Sequence, residues 1–384
     1  MTRPLRVALV AGEASGDLLG AAFIAALRER CPDATFRGVA GPRMVAAGCQ
    51  ALAGSEELAV MGFVEPLRHL PRLLKLRAGL IKDFLADPPD VFVGIDSPSF
   101  NLGLAKRLKR AGIPTVQYVS PQVWAWRQGR VKTIGKAVDL VLCLLPFEKS
   151  FYAEHAVQAE FVGHPLADQI PLEPDRAAAR AALGLPPDAQ VVALLPGSRV
   201  GEVTRLGPVF AGAAARLAAD RPQAPPVFIA PMASATVRGL FQADVDKAAA
   251  PVRLLDGQSR VALAAADAVL VASGTATLET MLSKRPMVVA YRVAPLTAFL
   301  ARRLGIVKVT HVSQPNLLAG EALVPEYLQE AATPEALALA LGQQLDDAAN
   351  RDRLALRFLD IHQQLRRGGA ARAAEAVLGL LSRA

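Results

Sequence analysis

Twice in this chain an unbroken apolar run ends in a glycine-bearing turn and passes into a helix-spaced segment, and this repeated unit restricts the fold more than any other feature. The first copy runs from residues 7–11 through Gly12-Glu13-Ala14-Ser15-Gly16-Asp17 into helical spacing over 18–28. The second runs from residues 190–195 into Pro196-Gly197-Ser198-Arg199. Strands buried on both faces read as continuous apolar runs, and parallel strands need a crossover helix between them. Further runs at Val91–Ile95, 115–119 and 140–144 follow the first copy, and runs at 227–230, 252–254, 269–272 and Met287–Tyr291 follow the second. The pattern predicts an α/β protein of two Rossmann-like halves facing across a cleft, joined by a proline-rich linker near 165–175. The boundaries expected are 1–168, 169–345 and a helical tail, 346–384, that packs on an N-terminal domain, its own or a partner's. A length of 384 residues suits two domains at roughly 150 residues each.

Composition removes several classes. With 52% hydrophobic residues and a mean hydropathy of +0.29, the chain can fill sizeable cores and does not read as disordered. Three cysteines, Cys31, Cys49 and Cys143, make a poor disulfide framework and fit a reducing compartment. Glu13 and Asp17 interrupt the first apolar run too early for a signal peptide, and no uncharged stretch reaches the ~18 residues needed to span a bilayer. The expected protein is therefore soluble or peripheral. The five histidines, His69, His155, His164, His311 and His362, are scattered without metal-ligand spacing, so a metal-independent mechanism is expected.

Charge is concentrated. Residues 61–136 hold thirteen Lys and Arg against five Asp and Glu, an excess equal to the whole net charge of +8. Such a patch suits nucleic acid, anionic headgroups or phosphorylated substrates. Inside it, Leu67, Leu70 and Leu74 share one helical face and Arg68, Arg72 and Lys75 another, after Phe63 and Val64. That pattern fits a helix lying in a membrane interface. From periodicity alone it reads more simply as an amphipathic helix packed on the sheet.

Candidate chemistry falls at strand ends. Asp96 directly follows the run Val91–Ile95, where open α/β sheets bind ligands, although an acid before Ser97-Pro98 also suits a cap. The Gly12–Asp17 turn favours an anion at a helix N-terminus but lacks the dinucleotide fingerprint. Gly197-Ser198-Arg199 and Ser273-Gly274-Thr275 can each hold a phosphate, with Arg199 as a fixed positive charge and Glu279, one turn into the next helix, as an acceptor for ribose hydroxyls. A surface ion pair for Arg199 and a solvated face for Glu279 are the plain alternatives. Both tryptophans sit in Tyr118-Val119-Ser120-Pro121-Gln122-Val123-Trp124-Ala125-Trp126-Arg127, where packing explains them; Pro146-Phe147-Glu148-Lys149 is also richer in polar groups than a loop requires.

The segments Ala11–Asp17, Gly38-Val39-Ala40-Gly41-Pro42-Arg43-Met44, Leu58-Ala59-Val60-Met61-Gly62, Val119-Ser120-Pro121 through Arg127, Leu194–Arg199, Ser273-Gly274-Thr275-Ala276 and Pro315-Asn316-Leu317-Leu318-Ala319-Gly320 occur in one order along nearly the whole chain. Together they closely resemble the lipid-A-disaccharide synthase family. The resemblance implies a GT-B glycosyltransferase at the cytoplasmic face of the Gram-negative inner membrane. It implies that UDP-2,3-diacylglucosamine and 2,3-diacylglucosamine 1-phosphate (lipid X) give a β-1,6-linked disaccharide 1-phosphate and UDP, with no cofactor, the UDP-sugar being a substrate. By position, Asp96 becomes the candidate base. Arg199 and the Ser273–Thr275 turn hold the departing UDP, Glu279 holds ribose, Gln258 in Asp256-Gly257-Gln258-Ser259 lies by uracil, and Ser15, Gly16 and Asn316 line the site. Acylated substrates also favour membrane docking through Phe63, Val64, Leu67, Leu70, Leu73 and Leu74 beside inner-membrane phospholipids. The family further implies a homodimer that exchanges C-terminal segments.

Two departures stand out. Ser97 and Ser99 replace an alanine and a second aspartate usual around Asp96, and Glu321 stands where some members place an arginine. The rival readings are another GT-B UDP-GlcNAc-dependent transferase or epimerase, which has no need of the 63–76 stretch, and a basic nucleic-acid-binding module, which leaves Asp96 and Glu279 without a role; no nucleic-acid partner is expected.

Overall fold

The computed structural model describes residues 3–59, 66–125, 128–294 and 311–383, without the side chains of 59 and 66–69. The chain forms two compact units, Met1–Asp168 with Leu365–Ala384, and Gln169–Gln364.

The first unit is built on seven parallel strands in the order β3-β2-β1-β4-β5-β6-β7. These are β1 (Arg6–Ala11), β2 (Thr35–Ala40), β3 (Cys49–Gly54), β4 (Val91–Ile95), β5 (Thr115–Tyr118), β6 (Leu140–Cys143) and β7 (Ala159–Phe161). Alternate residues of β1 feed two cores. Val7, Leu9 and Ala11 pack with Phe23 and Leu27 of the helix Ala14–Arg30, while Ala8 and Val10 pack with Leu80 and Phe84 of the helix Pro66–Ala86. Burial on both faces is why these strands read as unbroken apolar runs. β2 escapes that reading because Arg37 and Gly38 interrupt it. Gly38, at φ +149°, has backbone so close to β1 that a Cβ would sit 1.8 Å from the Leu9 carbonyl oxygen. β3 and β7 are edge strands, short or half-solvated, with no apolar run to reveal them.

The second unit holds six parallel strands in the order β10-β9-β8-β11-β12-β13. They are β8 (Val191–Leu195), β9 (Val227–Met232), β10 (Val252–Asp256), β11 (Ala268–Ala272), β12 (Met287–Tyr291) and β13 (Glu326–Leu328). The helices Val200–Ala219 and Pro334–Asp346 cover one face and bury Phe210, Leu217, Leu337 and Leu341 against the sheet.

The tail divides between the units. The helix Ala348–Leu365 belongs almost wholly to the second. From Leu365 the chain rejoins the first, where the helix Gly369–Leu381 buries Ala373, Ala374 and Val377 beside Phe23. Asp168 fixes that return, its two carboxylate oxygens accepting the N–H groups of Gly368 (3.0 Å) and Gly369 (2.8 Å) at the helix N-terminus. No described helix is long and apolar enough to cross a membrane.

Candidate active site

In each sheet the strand order reverses once, between β1 and β4 in the first and between β8 and β11 in the second. At such a point the loops leaving the carboxyl ends diverge and open a crevice, the usual ligand position of open α/β sheets. The loops at these four ends are those that carry Ser15 and Gly16, Asp96, Arg199, and Ser273 to Thr275.

In the first unit the two loops touch. A Cβ on Gly12 would lie 2.2 Å from the Ser97 hydroxyl oxygen, so only glycine allows the turn to rest on the Asp96 loop. Glu13 begins the helix Ala14–Arg30 without a side-chain cap, and Ser15 is exposed in its first turn with Gly16 buried beneath it, below Ala11 and Ile95. A 17-residue helix with an uncapped start is a seat for an anion. Asp17 is spent elsewhere: its carboxylate accepts the N–H groups of Arg43 (3.0 Å) and Met44 (2.9 Å), tying the first turn to the Gly41-Pro42-Arg43-Met44 segment.

Asp96 and Ser97 both adopt left-handed backbone, φ +52° and +40°, a conformation that costs on the order of 1–3 kcal/mol per non-glycine residue. The Asp96 N–H donates to the Tyr118 carbonyl (2.9 Å), and its own carbonyl accepts from the side-chain amides of Asn101 and Gln117, both at 2.9 Å. The carboxylate is half-buried and has no ion-pair partner among the described residues. Burial pushes it above its ordinary value, opposed by the Ser97 N–H. A carboxylate with a raised proton affinity suits a base. It does not cap the following helix, whose N-cap is Ser97.

In the same unit, after β6, Glu148 gathers two segments the sequence singled out. Its carboxylate accepts the Trp124 indole N–H (3.0 Å) and the N–H groups of Leu144 (3.1 Å) and Leu145 (3.0 Å), and burial holds it up at about 7. Trp124 also stacks edge-on against Phe147 at 4.8 Å. Trp126 and Arg127 lie outside the described residues.

In the second unit, Gly197, φ +133°, lets the turn after β8 fold over Glu202. One Glu202 oxygen accepts the N–H groups of Ser198 (3.0 Å) and Arg199 (3.3 Å), and the other pairs with the Arg199 guanidinium at 3.0 Å. The Arg199 side chain is nevertheless 80% exposed. The N–H groups of Ser198 and Arg199 are thus taken by Glu202, while the guanidinium, though paired with the same carboxylate, stays open to solvent.

The turn after β11 is more open. Gly274 and Thr275 are exposed at the uncapped start of the helix Thr275–Leu282, and a Cβ on Gly274 would meet nothing within 4 Å. Ser273 donates to the Val312 carbonyl at 2.8 Å. Glu279 is half-buried one turn in, its carboxyl raised by burial and lowered by Arg260, two residues beyond the exposed Gln258.

Asn316, expected to line the site, is held by its own segment. It is 1% exposed, its oxygen accepts the Val324 N–H (2.9 Å), and its nitrogen donates to the Val324 carbonyl and to Glu326, each at 2.9 Å. Both N–H donors of its amide and one lone pair of its oxygen are taken, so that it braces the segment after residue 311. Glu321 is exposed and lies 3.4 Å from Arg357.

The expected docking face is also revised. Leu73 is 6% exposed and packs in the core with Leu80 and Phe84, whereas Leu70 and Leu74 are 46% and 44% exposed. Phe63, Val64 and the Leu67 side chain lie outside the described residues. No group of three or more His, Cys, Asp or Glu among the described residues could hold a metal ion.

Two doubly wound parallel sheets, each with small-residue turns at its reversal point, define the GT-B class. Solved structures agree over the whole length. A calicheamicin glycosyltransferase superposes with a TM-score of 0.62 at 19% identity, covering 100% of this chain and 99% of that one. The UDP-GlcNAc 2-epimerase of Neisseria meningitidis, bound to UDP-GlcNAc, gives 0.62 at 12% identity over 99% and 100%. At these identities the likeness concerns the fold. A lipid-A-disaccharide synthetase family profile matches residues 7–378, and the chain belongs to that family of glycosyltransferases. It is 58% identical over 378 residues to the lipid-A-disaccharide synthase of Alkalilimnicola ehrlichii, covering 97% of this chain and 98% of the relative. It is 55% identical over the full length of both chains to the enzyme of Pseudomonas aeruginosa.

Proposed function

We propose that the enzyme condenses UDP-2,3-diacylglucosamine with lipid X by a single inverting displacement, at the cytoplasmic face of the inner membrane. Asp96 takes the proton of the acceptor 6-hydroxyl as that oxygen bonds to the donor's anomeric carbon. The bond from that carbon to the UDP oxygen breaks on the opposite side, so an α-linked donor gives a β-1,6 product. Negative charge grows on the departing diphosphate. Arg199 and the helix N-terminus at Gly274 and Thr275 stabilise it, with Ser198 and Gly197 shaping the turn, so the positive charge comes from the protein rather than a metal. Glu279 and the Gln258 loop take ribose and uracil, and the uncapped helix start at Ser15 and Gly16 takes an anionic group of the acceptor.

The observation that carries this reading is the position of Asp96, a half-buried carboxylate without an ion-pair partner among the described residues, at the reversal point of its sheet. Leu70 and Leu74, beside Arg72 and Lys75, supply a docking face for anionic phospholipid that brings the site to its acylated substrates. The test is Asp96→Asn assayed for disaccharide formation with UDP affinity measured in parallel. Loss of turnover with UDP binding retained supports the assignment, and retained turnover removes it.

A further inference from the structure

We infer that Asn101 and Gln117 are positioning residues, a pair of buried side-chain amides that clamp the Asp96 carbonyl and so aim the Asp96 carboxylate at the acceptor hydroxyl. The inference rests on the reading of Asp96 as the base.

Both amides reach one atom. Asn101 Nδ2 and Gln117 Nε2 each lie 2.9 Å from the Asp96 carbonyl oxygen, and the two residues are 0% and 1% exposed. A carbonyl oxygen has two lone pairs, and both are filled here. With its N–H bound to Tyr118, every backbone polar group of Asp96 is held and only its carboxylate is left to act.

The same amides tie down the surrounding strand ends. Asn101 Nδ2 lies 3.3 Å from the carbonyl oxygens of Val10 and Ile95, at the ends of β1 and β4. Gln117 Nε2 lies 3.3 Å from that of Val119. Asp96, Ser97 and Val119 all have positive φ, at +52°, +40° and +76°, and Val119 is β-branched. Strained backbone persists only where its surroundings over-determine it, and it gathers at functional sites.

Two details argue against mere packing. Asn101 Oδ1 is buried without a hydrogen-bond partner, a cost that a leucine would avoid. Turning the amide over would set its oxygen against three carbonyl oxygens, so the orientation is fixed. Gly94 makes the room: a Cβ there would fall 2.8 Å from Asn101 Cβ and 2.9 Å from its Cγ.

The experiment uses full-length Asn101→Leu, Gln117→Leu and Gly94→Ala in mixed micelles with donor and acceptor, alone and combined with Asp96→Asn. Each single variant is expected to lower kcat about ten- to a hundred-fold, since small misplacement of a catalytic group costs that much. The KM for donor and the Kd for UDP should stay within about twofold, because the donor groups lie in the other unit. The acid limb of the kcat profile should move to lower pH as the loosened carboxylate becomes better hydrated. In the Asp96→Asn background the same changes should cause no further loss. Folded variants with kcat within about twofold of wild type, or losses that multiply with that of Asp96→Asn, would overturn the clamp. Should the leucine variants fail to fold, Gln117→Met, which keeps the length of the side chain and removes its donors, gives the same readout. Full activity of Asp96→Asn alone would instead remove the base assignment.

Discussion

Arg199 and Glu202 are paired at 3.0 Å, and the same carboxylate accepts the N–H groups of Ser198 and Arg199, so the turn after β8 carries its own anion. On the proposed mechanism an incoming diphosphate must share or displace it. Arg199→Ala should weaken UDP binding about ten- to a hundred-fold, the range expected for a charge-assisted hydrogen bond. Glu202→Gln keeps an oxygen for the backbone donors while removing the competing charge, and should tighten UDP binding severalfold, more so at low salt. Calorimetric titration with UDP at two ionic strengths checks both; weaker binding in Glu202→Gln would show that the pair aims Arg199 rather than restrains it.

Two buried groups set opposite pH dependences on stability. Burial raises Glu148 from 4.5 to about 7, so the folded state binds more protons than the unfolded chain and stability from this group falls as pH climbs through that window. His164 is lowered by burial from 6.5 to about 4, so its contribution rises as pH climbs through that range. Its Nδ1 lies 3.2 Å from the Leu166 N–H and accepts from it as a neutral ring. Urea unfolding between about pH 5 and 7 should therefore show a steeper rise with pH in Glu148→Gln than in wild type and a shallower one in His164→Asn. Parallel curves for all three proteins would refute this.

Leu70 and Leu74 face solvent while Leu73 faces the core. The double change Leu70→Glu with Leu74→Glu should reduce binding to phosphatidylglycerol-containing vesicles about tenfold or more, from the apolar burial lost, and leave stability within about 0.5 kcal/mol. Leu73→Ala should do the reverse, costing about 2–5 kcal/mol of stability without changing vesicle binding of the folded protein. Co-sedimentation and thermal unfolding separate the two; undiminished binding of the double variant would place docking elsewhere.

Central strands such as Val91–Ile95 and Met287–Tyr291 were legible because burial on both faces demands apolar residues at every position. β13 and the edge strands β3 and β7 were not, since one solvated side relaxes that demand. Asp96 and Arg199 stand out as candidates in the sequence because Asp96 directly follows such a run and Arg199 lies in the turn after another. The amides of Asn101 and Gln117 could not, because they meet at Asp96 only once β4, β5 and the helix Pro98–Arg110 are laid side by side. Leu73 was grouped with its neighbours for a related reason. Periodicity shows that a helix has faces, but Leu80 and Phe84, further along the same helix, decide which one the core takes. Asn316 illustrates the remaining gap: a polar residue in a motif can serve the backbone of its own loop, and only its partners reveal that.

The most direct measurement is UDP release from UDP-2,3-diacylglucosamine in mixed micelles with EDTA present, with and without lipid X, for wild type and Asp96→Ala. Metal-free transfer with Asp96 as base predicts release that requires lipid X, survives EDTA, and falls by about two orders of magnitude or more in the variant, while its UDP affinity is retained. Release that ignores lipid X, stops with EDTA, or continues undiminished in Asp96→Ala would contradict it.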